Sequence, residues 1–353
     1  MKAALDLFAS RFIPLADSVS GCVSMPPLPG SSKAFAAIAL SGALSPVNRP
    51  RIVLAATPGI PDAERLSDDI ASLERHSGCK AMEFPPVLGE DKSVLGCRLR
   101  TLAAVEDWAA NPFPLVIVSP ATALSEKVRT GGISRRFAFI PGETSFSSAK
   151  SALSGFGYAR SPTVLAQGEW SVRGGIVDFW SPGEESPVRA EFFGDDLESL
   201  RGFNPATQLS TEAVDRADAL PSREDENGET ASFVSLLPDN AACIVFGHGS
   251  YEFDPEGRFA VYAGAAAPGK AAVRDFTISP LPGFAELGAA EAHHPELFDA
   301  AKKRLENHLD KARKRGDAVI AADELSSGFE IPGLAVVAKS DRIFTKRRPR
   351  RRA

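Results

Sequence analysis

The chain has 353 residues, of which 44% are apolar and 24% charged, enough to bury sizeable cores in two or three domains. Its formal net charge is −5, and because six of its last eight residues are basic, the sequence before them is more acidic still. We therefore do not expect the folded body to bind DNA strongly by itself, since binding to nucleic acid depends on basic side chains.

The cysteines and histidines are scattered and do not fall at the spacings of a metal site. No Cys-x-x-Cys pair occurs, and none of the five histidines lies at ligand spacing beside a cysteine. We expect a reduced, cytoplasmic protein that uses no metal and no other cofactor. No run approaches the roughly 20 apolar residues of a membrane span, so we expect no membrane contact.

Residues 1–135 alternate between strand and helix patterns. Apolar runs at 51–56 and 115–119 predict buried strands, and amphipathic patterns predict helices over 62–75 and 98–110. This alternation predicts a parallel sheet covered by helices, which would be the first part of an α/β domain.

Near residue 136 the pattern changes to that of a small α+β module, residues 136–219. A short helix over 147–156 precedes a series of short strands that ends near residue 203, with turn residues between the strands. The apolar run 241–246 then predicts a buried strand that returns the chain to the first sheet. Residues 220–269 would complete the first domain, and the module would be an insertion into it.

The rest of the chain predicts a small α/β domain, residues 270–345, and a basic tail, residues 346–353. The domain would contain strands at 275–279, 318–321 and 334–338 and a helix over 295–315. A terminal charge run is usually a solvated segment, but this tail is the element best suited to contact a nucleic-acid backbone. The residues that would make the contact are Lys346, Arg347, Arg348, Arg350, Arg351 and Arg352.

The segment 27–34, Pro-Leu-Pro-Gly-Ser-Ser-Lys-Ala, lies where a phosphate-binding loop would precede a helix. Such a loop needs glycines, so that successive backbone N–H groups face the phosphates, and a hydroxyl after the lysine to bind magnesium. Ala34 stands at that last position, and the loop is reduced to Gly30, Ser31, Ser32 and Lys33. We expect a degenerate nucleotide site. The alternative is residual ATP binding or hydrolysis that depends on Lys33.

Arg173, Arg189 and Phe193 are candidate partner-binding residues of the module. Strand alternation places Arg189 and Phe193 on one face and Phe192 in the core. Arginines beside an exposed aromatic ring often dominate the energetics of a protein interface. In the alternative interpretation the two arginines only stabilise the sheet, by pairing with Asp178, Glu191 or Asp195. Spacing alone leaves both interpretations open.

Three strand motifs follow one another in the module. They are Val-Arg-Gly-Gly-Ile-Val-Asp at 172–178, Arg-Ala-Glu-Phe-Phe-Gly-Asp at 189–195 and Glu-Ser-Leu-Arg at 198–201. In this order and spacing they resemble the UvrA-binding module shared by the excision-repair protein UvrB and the bacterial transcription-repair coupling factors. The first domain is similar to the UvrB-like domain of those coupling factors, in which the nucleotide site has decayed.

The resemblance implies a fold, a partner and a function. The fold would be α/β, with a degenerate P-loop helicase-like parallel sheet domain, an inserted antiparallel α+β module and a small α/β domain. The partner would be UvrA, because Arg173, Arg189 and Phe193 fall on the family's contact positions. The function would be non-catalytic recruitment of UvrA in nucleotide excision repair, so we do not expect this chain to be an enzyme.

The same resemblance implies that RNA polymerase and DNA are contacted only through a polymerase-binding domain and a translocase motor. These 353 residues contain no helicase motif, so we expect neither contact from them. We expect the chain to be a monomer. A further hypothesis, drawn from the residues alone, is a DNA-binding protein that acts through the basic tail.

Overall fold

A computed structural model describes residues 2–17, 21–28, 30–44, 50–87, 89–129, 135–223, 229–247, 253–267 and 271–273, with single positions and two short strands beyond residue 300. The first part of the chain alternates between helix and strand. Its elements are α1 (Lys2–Asp17), β1 (Cys22–Met25), α2 (Ser32–Leu40), β2 (Ile52–Thr57), α3 (Ile60–Ser77), β3 (Lys80–Glu83), α4 (Lys92–Trp108), β4 (Leu115–Pro120), α5 (Ala121–Leu124) and β5 (Lys127–Arg129).

The middle of the chain forms a module with one helix and a largely antiparallel sheet. Its elements are β6 (Phe137–Phe139), α6 (Phe146–Gly155), β7 (Ala159–Arg160), β8 (Glu169–Arg173), β9 (Ile176–Phe179), β10 (Val188–Phe193), β11 (Asp196–Phe203), β12 (Ser210–Ala213) and β13 (Ala217–Ala219). Six strands form one sheet in the order β12-β11-β10-β9-β8-β7, in which only β7 runs parallel to its neighbour.

The chain then returns to the first sheet. The elements that follow are β14 (Thr230–Ser232), a 3-10 helix (Val234–Leu236), β15 (Ala242–Phe246), β16 (Phe259–Ala263) and β17 (Ala272–Val273). They complete a seven-stranded sheet in the order β17-β1-β16-β15-β2-β4-β3, with every neighbouring pair parallel. Because β15 lies directly beside β2, the module interrupts the chain between strands of one sheet.

Two short antiparallel ribbons bring the ends of the module together. β5 pairs with β14, and β6 pairs with β13. Between these ribbons the module has its own apolar core, in which α6 contributes Leu153 and the sheet contributes Trp170 and Phe179. Separate cores lie on the two faces of the parallel sheet, one with α1, α2 and α3 and one with α4. The module can therefore be stabilised by its own packing as well as by contact with the first domain.

The module contacts the first domain where a turn after β9 meets α4. Gly96 of α4 faces the backbone of Pro182 and Gly183 so closely that a Cβ atom would overlap it. One turn further along α4, Arg100 donates hydrogen bonds to the Gly183 carbonyl and to the Glu184 carboxylate, both at 2.7 Å. This contact fixes one side of the module against the first domain.

The predicted α/β fold class is confirmed, because a helix-covered parallel sheet and a separate antiparallel module are both present. The P-loop helicase-like character of the parallel sheet remains a prediction. The strands predicted at 51–56, 115–119 and 241–246 are β2, β4 and β15. The helix predicted from residue 98 begins earlier, at Lys92, because the Asp91 carboxylate accepts the Ser93 N–H at 2.8 Å and caps the helix there. The domain boundaries at 135, 219, 269 and 345 remain predictions.

Little of the region after residue 273 belongs to the described residues. Strands β18 (Ile320–Ala321) and β19 (Ala335–Val336) pair in parallel, within the strands predicted at 318–321 and 334–338. The predicted strand 275–279, most of the predicted helix 295–315 and the basic residues from Lys346 to Arg352 lie outside the described residues. Among the helices that the structure describes, none has both the length and the apolar character needed to cross a membrane.

Candidate functional site

The six-stranded sheet of the module has one face against α6 and an opposite face, which we call the outer face. Strand register places two neighbouring rows of side chains on the outer face. The first row is Ser171, Asp178, Arg189 and Arg201. The second row is Arg173, Ile176, Glu191 and Ser199. Phe193 continues this face at the end of β10.

The two adjacent phenylalanines of β10 point to opposite sides, as strand alternation predicts. Phe192 is buried in the module core, where its ring contacts that of Phe146 at a centroid distance of 5.2 Å. Phe193 is 77% exposed. A phenylalanine with this much of its side chain exposed indicates a candidate contact surface, because burying its ring against a partner would be favourable.

A tight hairpin brings Arg173 to the same end of the outer face as Phe193. Gly174, with φ of +59°, turns the chain between β8 and β9. The next residue, Gly175, accepts the Phe192 N–H at 2.8 Å, and a Cβ atom there would overlap the Phe192 carbonyl oxygen. The glycine pair thus lets the hairpin tip lie directly against β10. Arg173 remains 52% exposed beside it.

Arg189 is bound by its own chain. Its Nε and Nη2 atoms donate to both carboxylate oxygens of Asp178, at 2.8 and 2.9 Å. Asp178 is only 2% exposed and Arg189 16%. The third nitrogen, Nη1, donates to the Gln208 carbonyl at 3.2 Å, and the guanidinium lies 4.8 Å from the centre of the Phe203 ring. The hydrogen bond to the Asp178 carboxylate raises the pKa of Arg189, as expected for a charge-assisted bidentate pair.

The alternative interpretation, in which the arginines pair with nearby carboxylates, therefore holds for Arg189. Arg173 approaches the same carboxylate less closely, with 3.8 Å between its Nη2 atom and Asp178 Oδ2. Arg173 and Phe193 present exposed surface to a partner, whereas Arg189 presents little. The assignment of all three residues to UvrA contact remains a prediction.

Two other acidic positions have structural partners. Asp195 Oδ1 accepts the Ser147 N–H at 3.2 Å at the start of α6, where a carboxylate favours the helix terminus. Glu184 pairs with Arg100 across the contact with α4. In the part of the chain that the structure describes, no three His, Cys, Asp or Glu side chains converge in a way that could hold a metal ion.

The degenerate loop lies between β1 and α2, at the end of the parallel sheet where a phosphate-binding loop would be expected. Gly30 adopts a φ of +49°, and the Lys33 ammonium lies 5.9 Å from the centre of the Phe246 ring. Ser31 forms a hydrogen bond with Asp69 of α3, whose pKa is raised by burial and lowered in part by Ser31 and Lys33. Ser31 and Lys33 are thus directed at groups of the protein itself.

The buried cysteines are not suited to nucleophilic chemistry. Burial raises the pKa of Cys79 and of Cys243 to about 12, so both thiols stay protonated at neutral pH. Both side chains lie in the apolar cores of the parallel sheet. Their role is to fill space in those cores.

Sequence reasoning missed the loop that follows β11. Gln208 has a φ of +61° and supplies the carbonyl that Arg189 bonds, and the neighbouring Leu209 is 69% exposed. Neither residue belongs to a periodic pattern. A single glutamine in left-handed conformation gives no sequence signal of the kind that a glycine would give.

The comparisons with known proteins agree with the motifs of the module. Residues 142–224 match the UvrB interaction domain. The Transcription-repair-coupling factor of Myxococcus xanthus is 47% identical over 68 residues, 19% of this chain and 6% of that protein. The same-named protein of Bacillus subtilis (strain 168) is 26% identical over 201 residues, 56% of this chain and 17% of that protein.

A second group of relatives is similar to this chain over a stretch of comparable length. The UvrABC system protein B of Thermosynechococcus vestitus is 32% identical over 66 residues, 19% of this chain and 10% of that protein. The chain thus spans between 6% and 17% of the length of these relatives. The resemblance of this chain to the UvrB-like region of bacterial transcription-repair coupling factors, with a match to the UvrB interaction domain in its module, is thereby confirmed.

Proposed function

We propose that this chain binds UvrA through the outer face of its module and so recruits UvrA to nucleotide excision repair. The observation that carries the proposal is the exposure of Phe193 and Arg173 at one end of that face. Both lie inside the segment that matches the UvrB interaction domain. Because the relatives are much longer than this chain, contacts with RNA polymerase and DNA are proposed for parts of such proteins that these residues do not match.

Phe193 is expected to contribute most of the binding free energy at this end. Large aromatic side chains and arginines dominate interface energetics, and truncating such a residue typically costs about 2 kcal/mol or more. Phe193 also needs no reorganisation before it can be buried, because it is already exposed on a strand held by Gly175. Arg173 can add a charged hydrogen bond without leaving Asp178 unpaired, since Arg189 holds that carboxylate.

Replacing Phe193 with alanine should weaken binding to UvrA by about thirtyfold or more, which corresponds to about 2 kcal/mol. The free energy of unfolding should change by less than about 0.5 kcal/mol, because the side chain is exposed in the free chain. Both quantities can be measured, by titration with purified UvrA and by urea denaturation.

A competition experiment with UvrB provides the matching control. UvrABC system protein B is among the similar proteins, so wild-type chain should displace labelled UvrB from UvrA. The Phe193→Ala chain should not displace it at the same concentration, whereas Ile60→Ala, which removes an exposed apolar side chain from the first domain, should behave as wild type. Equal competition by all three chains would contradict the proposed surface.

We also propose that the first domain has no nucleotide-dependent activity. Magnesium ATP at millimolar concentration should cause no saturable heat in calorimetry and no increase in thermal stability, since a ligand that binds only the native state must raise stability. The reason is that the loop lacks a hydroxyl after Lys33 and directs Ser31 toward Asp69. Saturable binding that disappears in the Lys33→Ala variant would establish the alternative, a residual ATP site.

A further inference from the structure

The module exposes two leucines at a distance along the chain from Phe193. Leu165 is 62% exposed and Leu209 is 69% exposed. Among the described residues, only five large apolar side chains are exposed, and three of these, Leu165, Phe193 and Leu209, belong to the module. Exposed leucines that lie close to one another would gain free energy if a partner covered them.

The two leucines lie on loops that are bonded to each other. The Gln208 side-chain amide donates to the Val164 carbonyl at 3.4 Å and to the Pro205 carbonyl at 2.7 Å. Val164 is fully buried and anchors its loop in the module. Because Leu165 follows Val164 and Leu209 follows Gln208, this bond places the two chain segments that carry the leucines next to each other.

The loop that carries Leu209 is held in a fixed shape. The Asn204 carboxamide oxygen accepts the N–H groups of Ala206 and Thr207, at 2.9 and 3.1 Å. Gln208 adopts a left-handed conformation that is unfavourable for a residue with a Cβ atom, and such strain persists only where surrounding contacts impose it. One of these contacts is the hydrogen bond from Arg189 Nη1 to the Gln208 carbonyl.

We infer that Leu165 and Leu209 form a second contact area for the same partner as Phe193, and that Arg189 is a positioning residue for this area. The inference rests on the proposed function, since the partner it names is UvrA. Arg189 has 16% of its side chain exposed and uses all three guanidinium nitrogens on Asp178 and Gln208. It acts on the partner through the loop, by holding Leu209 in place.

The Phe193 end of the outer face and the two leucines are connected by a chain of contacts, which favours a single partner for both. Contacts run from exposed Arg173 to Asp178, from Asp178 to Arg189 and from Arg189 to the Gln208 loop. The charges of Asp178 and Arg189 compensate each other, so a partner can cover the row between the two areas without burying an unpaired charge. A single protein surface that contacts Phe193 at one end can therefore reach the leucines at the other.

The test compares the UvrA affinity of four chains by calorimetry. The double variant Leu165→Ser/Leu209→Ser should bind at least tenfold more weakly than wild type, whereas Val87→Ser, an exposed apolar residue of the first domain, should bind as wild type. Affinity within twofold of wild type for the double variant, with binding weakened about thirtyfold or more in Phe193→Ala, would overturn this inference and leave the proposed function intact. No binding by the folded wild-type chain would overturn both.

Sedimentation distinguishes UvrA from a second copy of the chain as the occupant. The wild-type chain and the double variant should both sediment as monomers at the concentrations used for binding. A wild-type dimer that dissociates in Leu165→Ser/Leu209→Ser, with UvrA affinity unchanged, would assign the leucines to self-association and contradict the inference.

The positioning role of Arg189 is tested by a double-mutant cycle. Arg189→Lys keeps the positive charge but replaces the three separate guanidinium nitrogens, which bond both Asp178 oxygens and the Gln208 carbonyl, with a single nitrogen, so it should loosen the loop and weaken UvrA binding. In a chain that already carries Leu209→Ser, Arg189→Lys should cause little further loss, because both changes act on the same contact. If the affinity losses of Arg189→Lys and Leu209→Ser were independent, so that the double variant lost the product of the two, Arg189 would contact the partner directly. That result would overturn the positioning role.

Discussion

Replacing Arg189 with alanine is expected to lower the free energy of unfolding by about 3 kcal/mol, as measured by urea denaturation. The reason is that the Asp178 carboxylate is 2% exposed and receives two hydrogen bonds from Arg189. Without that guanidinium, the remaining cation is Arg173, at 3.8 Å from one carboxylate oxygen and half in solvent. An incompletely paired carboxylate would then remain buried in the sheet.

Two further variants separate the loss of this ion pair from the general cost of replacing residues in the sheet. Arg201→Ala removes an exposed arginine that lies opposite Arg189 on the neighbouring strand β11. The free energy of unfolding should change by less than about 0.5 kcal/mol. In Asp178→Asn/Arg189→Gln both charges are absent, so the loss should be smaller than in Arg189→Ala. A stability of Arg189→Ala equal to that of Arg201→Ala would contradict a buried, paired carboxylate.

Replacing Gly96 with alanine is expected to destabilise the chain by about 2 kcal/mol or more, although alanine is the better helix former. The added methyl group would overlap the backbone of Pro182 and Gly183. Backbone atoms cannot rotate away as the end of a long side chain can, so α4 and the module must move apart. The hydrogen bonds from Arg100 to Gly183 and Glu184 would be strained by the same movement.

Gly155→Ala is the matched control for this helix substitution. Gly155 is the last residue of α6, and no atom lies within 4 Å of the position that its Cβ would occupy. This change should be neutral or stabilise the chain by up to about 1 kcal/mol. If Gly96→Ala were as stable as Gly155→Ala in urea, α4 and the module would not be in contact in solution.

The long buried strands could be predicted from the sequence because they are continuous apolar runs. Strands β2, β4 and β15 are buried along their whole length, as strands of a covered parallel sheet are. The opposite orientations of Phe192 and Phe193 follow from the two-residue period of a strand in the same way. In each case a local pattern is sufficient to determine which side chains are buried.

Other features depend on contacts between residues far apart in the chain. Strands β1 and β3 have four residues each, too few to show a period, and they form because neighbouring strands pair with them. The sharing of Asp178 between two arginines depends on the register of β8, β9 and β10. The contact of Arg189 with the Gln208 carbonyl depends on a loop that no pattern in the sequence places beside this arginine.

The central claim is tested most directly by titrating the wild-type chain into purified UvrA in a calorimeter, with Arg173→Ala/Phe193→Ala as the comparison. These two substitutions leave Arg189 and Asp178 in place, so the variant should fold as wild type. Saturable binding by wild type that is lost in the folded variant is the predicted result. No saturable binding by the folded wild-type chain, or undiminished binding by the variant, would contradict UvrA recognition by the outer face.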